Sequence, residues 1–78
     1  MNNAEFRVWL KGYFELADAD TPLNPQQAQI IINHLNLAEA VEGKLDAQND
    51  NIRNTLRGFL QNNTDATELT AWLQGALT

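Results

Sequence analysis

The segment between Asn24 and Gly43 constrains the fold of this chain most strongly, because it carries the signals for both ends of one long helix. Asn24 is a preferred N-cap residue, and Pro25 suits the first position of a helix. Gln27 stands three residues after the cap, where a capping box has its second member. Gly43 is placed to end the helix in a left-handed conformation. The sequence therefore predicts a helix from Pro25 to about Glu42.

This predicted helix is apolar on two sides. One side carries residues at helical spacing: Ala28, Ile31, Ile32, Leu35 and Ala38. A second row repeats at intervals of four, three and four residues: Ile30, His34, Leu37 and Val41. A helix that is apolar on two sides is either central to its own domain or half of an interface. Both alternatives are open from the sequence.

The first 17 residues predict an amphipathic helix. At about 100° per residue, one arc of about 160° collects most of its apolar side chains: Phe6, Trp9, Leu10, Tyr13, Phe14, Leu16 and Ala17. Val8 lies outside this arc. Asn2 is a candidate N-cap with Glu5 three positions later, and the helix is expected to end near Ala17, before Pro22.

Two more helices follow. The third is predicted over residues 47–61 with Asp46 as its cap, and the fourth begins at Thr64 or Asp65. Gly58 weakens the third helix, so we expect a close approach that requires a small residue there. The side chains expected to point inward are Ile52, Leu56, Phe59, Leu60, Leu69, Trp72, Leu73 and Ala76.

No segment predicts a strand. The fold class is therefore all-α, with about four short helices in a compact bundle or orthogonal array. Seventy-eight residues have room for one core, so residues 1–78 form a single helical domain. The chain has no cysteine, and we expect Trp9 and Trp72 to anchor a core that no disulfide supports.

The chemistry available to the chain is limited. Without cysteine there is no thiol catalysis and no cysteine-ligated zinc. His34 is the single histidine; it could pair with Glu39 or Glu42, but no nucleophile or oxyanion hole is evident beside it. Asp18 and Asp20 lack the glycine and glutamate that a calcium loop needs. We therefore predict a protein that is not an enzyme and takes neither cofactor nor metal.

Charge and hydropathy bear on partners and location. The net charge of −5 makes the protein acidic, so nucleic acid is repelled on average. No run of about 18 apolar residues is present, and residues 1–5 lack the basic start of a secretory signal. We expect a cytoplasmic protein.

The leading hypothesis for function follows from the second apolar row. It is a protein–protein interaction, with another protein or with a second copy of the chain, made by Ile30, His34, Leu37 and Val41.

A second hypothesis is a helix-turn-helix DNA-binding regulator that uses residues 47–61. We expect this helix to expose polar residues of types that contact bases or phosphate: Gln48, Asn49, Asn51, Arg53, Asn54 and Arg57. The proposed contacts are Asn51, Arg53, Asn54 and Arg57. Asp46 and Asp50 at the leading end of this helix argue against it, although Asp50 can pair with Arg53. A third hypothesis is an acidic decoy for a nucleic-acid-binding enzyme.

Part of the sequence also resembles a known group of proteins. Residues 5–14, Glu-Phe-Arg-Val-Trp-Leu-Lys-Gly-Tyr-Phe, are followed by Leu-Asn-Pro-Gln-Gln at 23–27 and then by Ile31 and Leu35. This arrangement resembles small phage and prophage proteins that open with Phe-x-x-Trp-Leu-x-Gly-Phe/Tyr and continue with a Thr/Asn-Pro-x-Gln helix start. The likeness covers residues 5–38. It implies an accessory role for a virus or mobile element in a bacterial cytoplasm, so that a partner other than a second copy would be a host or phage protein. It carries over no functional residues.

Overall fold

The computed structural model describes residues 1–16, 22–62 and 65–77, without the side chain of Asn62. It contains four helices: α1 (Asn3–Leu16), α2 (Pro25–Glu42), α3 (Ala47–Asn62) and α4 (Ala66–Ala76). No strand occurs in these ranges, and the all-α prediction is confirmed. Three sequence predictions fall outside the described residues. They are the end of α1 at Ala17, the loop with Asp18 and Asp20, and a start of α4 at Thr64.

The predicted ends of α2 are confirmed. Asn24 Oδ1 accepts a hydrogen bond from the Gln27 amide at 2.8 Å, and Gln27 Oε1 accepts one from the Asn24 amide at 3.0 Å. Gly43 has a φ of 86°, and its N–H donates to the carbonyl of Glu39 at 2.7 Å. A residue with a side chain is strained at this φ, which accounts for glycine at the end of α2.

The other three helices also begin with side-chain caps. Asn2 and Glu5 exchange two hydrogen bonds, with the Glu5 amide donating to Asn2 Oδ1 at 2.8 Å and the Asn2 amide donating to Glu5 Oε1 at 3.0 Å. The carboxylate of Asp46 accepts the amide of Asn49 at 2.8 Å at the start of α3. Asp65 caps α4. The predicted caps at Asn2 and Asp46 are thus confirmed.

The core lies between α1, α2, α3 and α4. Its buried side chains come from every helix and from the segment before α2: Phe6, Leu10, Leu23, Ala28, Ile31, Ile32, Leu35, Ala38, Ile52, Leu56, Phe59, Leu69 and Leu73. The inner side predicted for α2 is fully buried, as expected. Leu60 and Ala76 are half-buried.

Three predicted core residues are placed differently. Trp72 is 39% exposed and Leu16 is 93% exposed, whereas Trp9 is half-buried. α4 turns Leu69 and Leu73 inward, and Trp72 lies about 80° around the helix from the middle of that buried side. Leu16 is the last residue of α1 and is similarly displaced from the buried side of that helix. The prediction that Trp72 anchors the core is therefore wrong.

Gly58 does not mark a close helix crossing. Beyond its chain neighbours and the backbone of α3 itself, a Cβ atom built at Gly58 would meet no atom of the described residues within 4 Å. The expectation of tight packing there is wrong, because room for a side chain is present.

A polar cluster joins the start of α1 to the end of α2 and the start of α3. Asn3 donates from its amide and from Nδ2 to the two carboxylate oxygens of Glu42, at 2.8 and 2.9 Å. Asn49 Nδ2 donates to the Asn3 backbone carbonyl at 3.1 Å and to Asn3 Oδ1 at 2.8 Å. Arg7 Nη1 donates to Asp46 Oδ2 at 2.6 Å and to Asn49 Oδ1 at 3.0 Å. Asn49 is fully buried, so its expected place among the exposed polar residues of α3 is wrong.

Candidate functional site

The second apolar row of α2 lies on the surface. Ile30, Leu37 and Val41 are 50%, 51% and 59% exposed. The opposite side of α2 already supplies five buried residues to the core, so these three are not needed there. Within the described residues, α2 is thus not a central helix covered on all sides. We call Ile30, His34, Leu37 and Val41 the contact row.

His34 differs from the other members of the contact row because it is half-buried. Its Nδ1 lies 2.9 Å from the carbonyl oxygen of Ile30. Because a carbonyl oxygen can only accept, Nδ1 carries the proton in this contact, and in the neutral ring Nε2 is then an acceptor. His34 is therefore held in one orientation from within α2.

One face of the His34 ring is covered by Trp9 of α1. The rings of Trp9 and His34 are stacked, with centroids 4.1 Å apart and planes inclined by 12°. Trp9 in turn stands 5.9 Å from Phe6 and 6.1 Å from Tyr13, measured between ring centroids. A continuous set of rings thus runs from the core at Phe6 to the edge of the contact row.

Trp9 belongs to this surface, although the sequence indicated a core anchor. Its role depends on how α1 packs against α2, because Trp9 and His34 are 25 positions apart in the chain. The helical period of α1 alone places Trp9 on the inward arc. Only the contact with His34 reveals that its ring lies at the margin of the core.

The half of α2 that faces away from the core carries no charge. At about 100° per residue it spans roughly 180° and includes the contact row together with polar and small residues: Gln26, Gln27, Gln29, Asn33, Asn36 and Ala40. We call this half the uncharged face. The two charged residues of α2, Glu39 and Glu42, lie on the other half.

Both of these glutamates are bound to neighbouring helices. Arg53 donates to the two carboxylate oxygens of Glu39, each at 3.0 Å. These hydrogen bonds hold the pKa of Glu39 below its ordinary value. The hydrogen bonds from Asn3 do the same for the pKa of Glu42. Their negative charges are therefore turned toward α1 and α3 and away from the contact row.

The residues proposed to contact DNA differ in how exposed they are to solvent. The side chain of Arg53 is 12% exposed and forms the ion pair with Glu39, and its Nη2 lies 3.8 Å from Asp50. The hydrogen bond with Glu39 raises the pKa of Arg53. Asn51, Asn54 and Arg57 are exposed on α3. The pairing of Asp50 with Arg53 is confirmed, and it leaves Arg57 as the exposed cation of α3.

Among the described residues, the structure does not show the pairing of His34 with Glu39 or Glu42 that the sequence allows. The hydrogen-bonding groups of Glu39 and Glu42 are directed to Arg53 and Asn3, not to His34. Residues 1–16, 22–62 and 65–77 contain no group of three histidine, cysteine or acidic side chains that could hold a metal ion. Among these same residues, no helix combines the length and apolarity needed to cross a membrane.

An open cleft of about 330 Å³ lies apart from the contact row. It is bounded by α1, the start of α3 and the end of α4, and its lining residues are Ala4, Arg7, Val8, Lys11, Gln48, Ala76 and Leu77. Arg7 is held by Asp46, and Gln48 Nε2 donates to the carbonyl of Ala76 at 2.6 Å. The described lining residues include the cations Arg7 and Lys11 but no carboxylate.

Comparisons with protein-family models, curated proteins and solved structures found no match to this chain.

Proposed function

We propose that this chain is a non-enzymatic protein that acts through a protein–protein contact made by the uncharged face of α2. The single observation that carries the proposal is the exposure of three large aliphatic side chains, Ile30, Leu37 and Val41, in one line on a helix whose other side fills the core. Scattered apolar residues on a surface need no explanation, but an aligned apolar set is typical of an interaction site.

The flanks of the contact row support the same proposal. Protein interfaces are depleted of charged residues at their centre and enriched in aromatic side chains. The uncharged face meets the first condition, and Trp9 beside His34 meets the second. His34 is fixed by its contacts with Trp9 and Ile30, so binding would cost little side-chain entropy there.

We place this action in a bacterial cytoplasm, as an accessory protein of a phage or prophage. The basis is the resemblance of residues 5–38 to small phage proteins. Residues 5–38 include both Trp9 and most of the contact row.

The test is an affinity capture from bacterial lysate with tagged protein, with and without nuclease, followed by mass spectrometry. Wild type is compared with Leu37→Asp, which puts a carboxylate at the centre of the contact row, and with Val8→Asp, which puts one at a 73% exposed aliphatic residue of α1. We expect a protein that survives nuclease treatment and is lost only with Leu37→Asp. Capture that is equal in all three proteins, or that consists of nuclease-sensitive DNA, would contradict the proposal.

A further inference from the structure

Two clefts adjoin along the outer side of α1. The first is the cleft of about 330 Å³ that Arg7 and Lys11 line together with Gln48. The second has a volume of about 190 Å³ and is lined by Phe14, among others. Lys11 and Leu77 line both clefts, so we call the two together the α1 groove. The first cleft alone reaches the size of about 300–1,000 Å³ at which proteins hold small molecules.

The first cleft offers hydrogen-bond donors and positive charge. Asp46 and Asn49 hold Arg7 in place, and both of these hydrogen bonds use Nη1. A guanidinium has five N–H donors, so others remain for a ligand. Lys11 is exposed, and among the described residues no carboxylate lies within ion-pair distance of its amine. These two cations favour an anion, because they donate charge-assisted hydrogen bonds.

The second cleft offers an apolar wall. Phe14 and Leu77 are half-buried there, and the aliphatic stem of Lys11 lies beside them. Glu15 also lines this cleft, and it stands about 12 Å along α1 from Arg7. A negatively charged group is therefore repelled at the Glu15 end of the groove and attracted at the Arg7 end. The groove thus fits a ligand that is anionic at one end and apolar along the rest.

Length and charge narrow the class of ligand. Residues 4–15 of α1 span about 16 Å, and an extended eight-carbon carboxylate, at roughly 10 Å, fits within this length. The net charge of −5 penalises each further negative charge on a ligand, so a single charge is favoured over the two of a phosphate.

We propose that the α1 groove binds an aliphatic monocarboxylate of about eight carbons. The carboxylate lies at Arg7 and Lys11, and the chain lies along Phe14 and Leu77. This inference goes beyond the proposed function and does not depend on the contact row.

The first experiment titrates sodium octanoate into isotope-labelled protein near neutral pH and follows the amide shifts by NMR. We expect saturable shifts at Lys11, Gln48 and Leu77, with a Kd on the order of 1 mM or below. Octanol has the tail without the charge, and acetate has the charge without the tail. Each should bind at least about tenfold more weakly than octanoate. Equal binding of either control, or no saturable shift up to about 10 mM octanoate, would overturn the inference.

The second experiment removes the positive charge. Lys11→Met keeps an unbranched aliphatic side chain without the amine, so it should weaken octanoate binding at least about fivefold. Arg57→Met is the matched control, because Arg57 is an exposed cation of α3 outside the lining of the groove. It should bind octanoate as wild type does. Equal binding by Lys11→Met and wild type would overturn the inference.

The third experiment separates the α1 groove from the contact row. Val8 lines the first cleft, so Val8→Asp should weaken octanoate binding at least about tenfold, whereas Leu37→Asp should leave it unchanged. Circular dichroism checks that both variants are folded, which their exposed positions favour. Octanoate shifts confined to Ile30 and Leu37 would place the ligand on the contact row and overturn the inference.

Failure of this inference is distinguishable from failure of the proposed function. Capture of a partner protein is expected to be lost with Leu37→Asp and kept with Val8→Asp, which is the opposite of the pattern for octanoate. If octanoate binds as expected but capture is equal in all proteins, only the proposed function fails. If capture follows its expected pattern but octanoate does not bind, only the α1 groove inference fails.

Discussion

The Trp9 indole and the His34 imidazole lie nearly parallel with their centroids 4.1 Å apart, and this stack joins α1 to the exposed side of α2. Aromatic pairs of this kind contribute about 0.5–1.5 kcal/mol beyond the area that they bury. The stack therefore links the stability of the α1–α2 pair to the shape of the proposed interaction surface.

Replacing His34 by alanine should loosen this stack. We expect His34→Ala to lower the free energy of unfolding by about 1 kcal/mol. The fluorescence emission of Trp9 should also shift to longer wavelength, because the indole becomes more exposed to water. Measurements in a Trp72→Phe background isolate the Trp9 signal. His34→Phe keeps a ring over Trp9 and should keep the emission near its original wavelength. An unchanged spectrum in His34→Ala would contradict the stack.

Asn49 should be the most sensitive polar residue of α3. Asn49→Ala removes two hydrogen bonds to Asn3 and one from Arg7 in a fully buried position. Buried polar groups that lose their partners cost about 1–3 kcal/mol, so we expect the free energy of unfolding to fall by about 2 kcal/mol and Tm by roughly 10 °C. Asn51→Ala, at an exposed site of the same helix, is the control and should stay within about 0.5 kcal/mol of wild type. Equal effects in the two variants would show that the Asn49 bonds contribute little.

The contrast between Asn49 and Asn24 shows what the sequence could predict. Asn24 acts through its own neighbours, with Gln27 three positions on, so the capping box and the start of α2 were predictable from local spacing. Asn49 donates hydrogen bonds to Asn3, which is 46 positions away in the chain. No local sequence pattern distinguishes Asn49 from an exposed asparagine such as Asn51.

The same distinction applies to the candidate site. The contact row was predictable because its members share one helix, and its uncharged flanks follow from the sequence of α2. Two other features depend on how separate helices pack. They are the position of Trp9 beside the contact row and the pairing of Arg53 with Glu39. Trp72 was misplaced for a related reason: α4 is apolar over a wide arc, and its neighbours decide which part faces inward.

Acid should destabilise the fold through three carboxylates. Hydrogen bonds from Arg53 and Asn3 lower the pKa values of Glu39 and Glu42, respectively. Burial alone would raise the pKa of Asp46, but hydrogen bonds from Arg7 and the Asn49 backbone bring it below its ordinary value.

Because these pKa values are lower in the folded than in the unfolded chain, the unfolded chain binds more protons in acid. The stabilisation is complete above the unfolded values of about 4, and it is lost as the pH falls through the folded values. We expect the contribution of these three carboxylates to Tm to be nearly constant from about pH 7 to pH 5. It should then fall between about pH 4.5 and pH 3. Glu39→Gln should lower Tm at neutral pH and flatten the acid dependence. A Tm that rises on acidification below about pH 4.5 would contradict this assignment.

Two glycines should respond to alanine in opposite directions. Gly58 lies inside α3 with open space where a Cβ atom would be, so Gly58→Ala should raise the free energy of unfolding by about 1 kcal/mol and Tm by roughly 4–8 °C. Gly43 also has open space around it, but its φ of 86° strains any residue with a side chain. Gly43→Ala should therefore lower the free energy of unfolding by about 1–2 kcal/mol. Thermal melts of the two variants against wild type separate the two effects. If Gly58→Ala is destabilising, α3 packs more closely at that position than the structure describes, and the close helix crossing expected from the sequence would be restored.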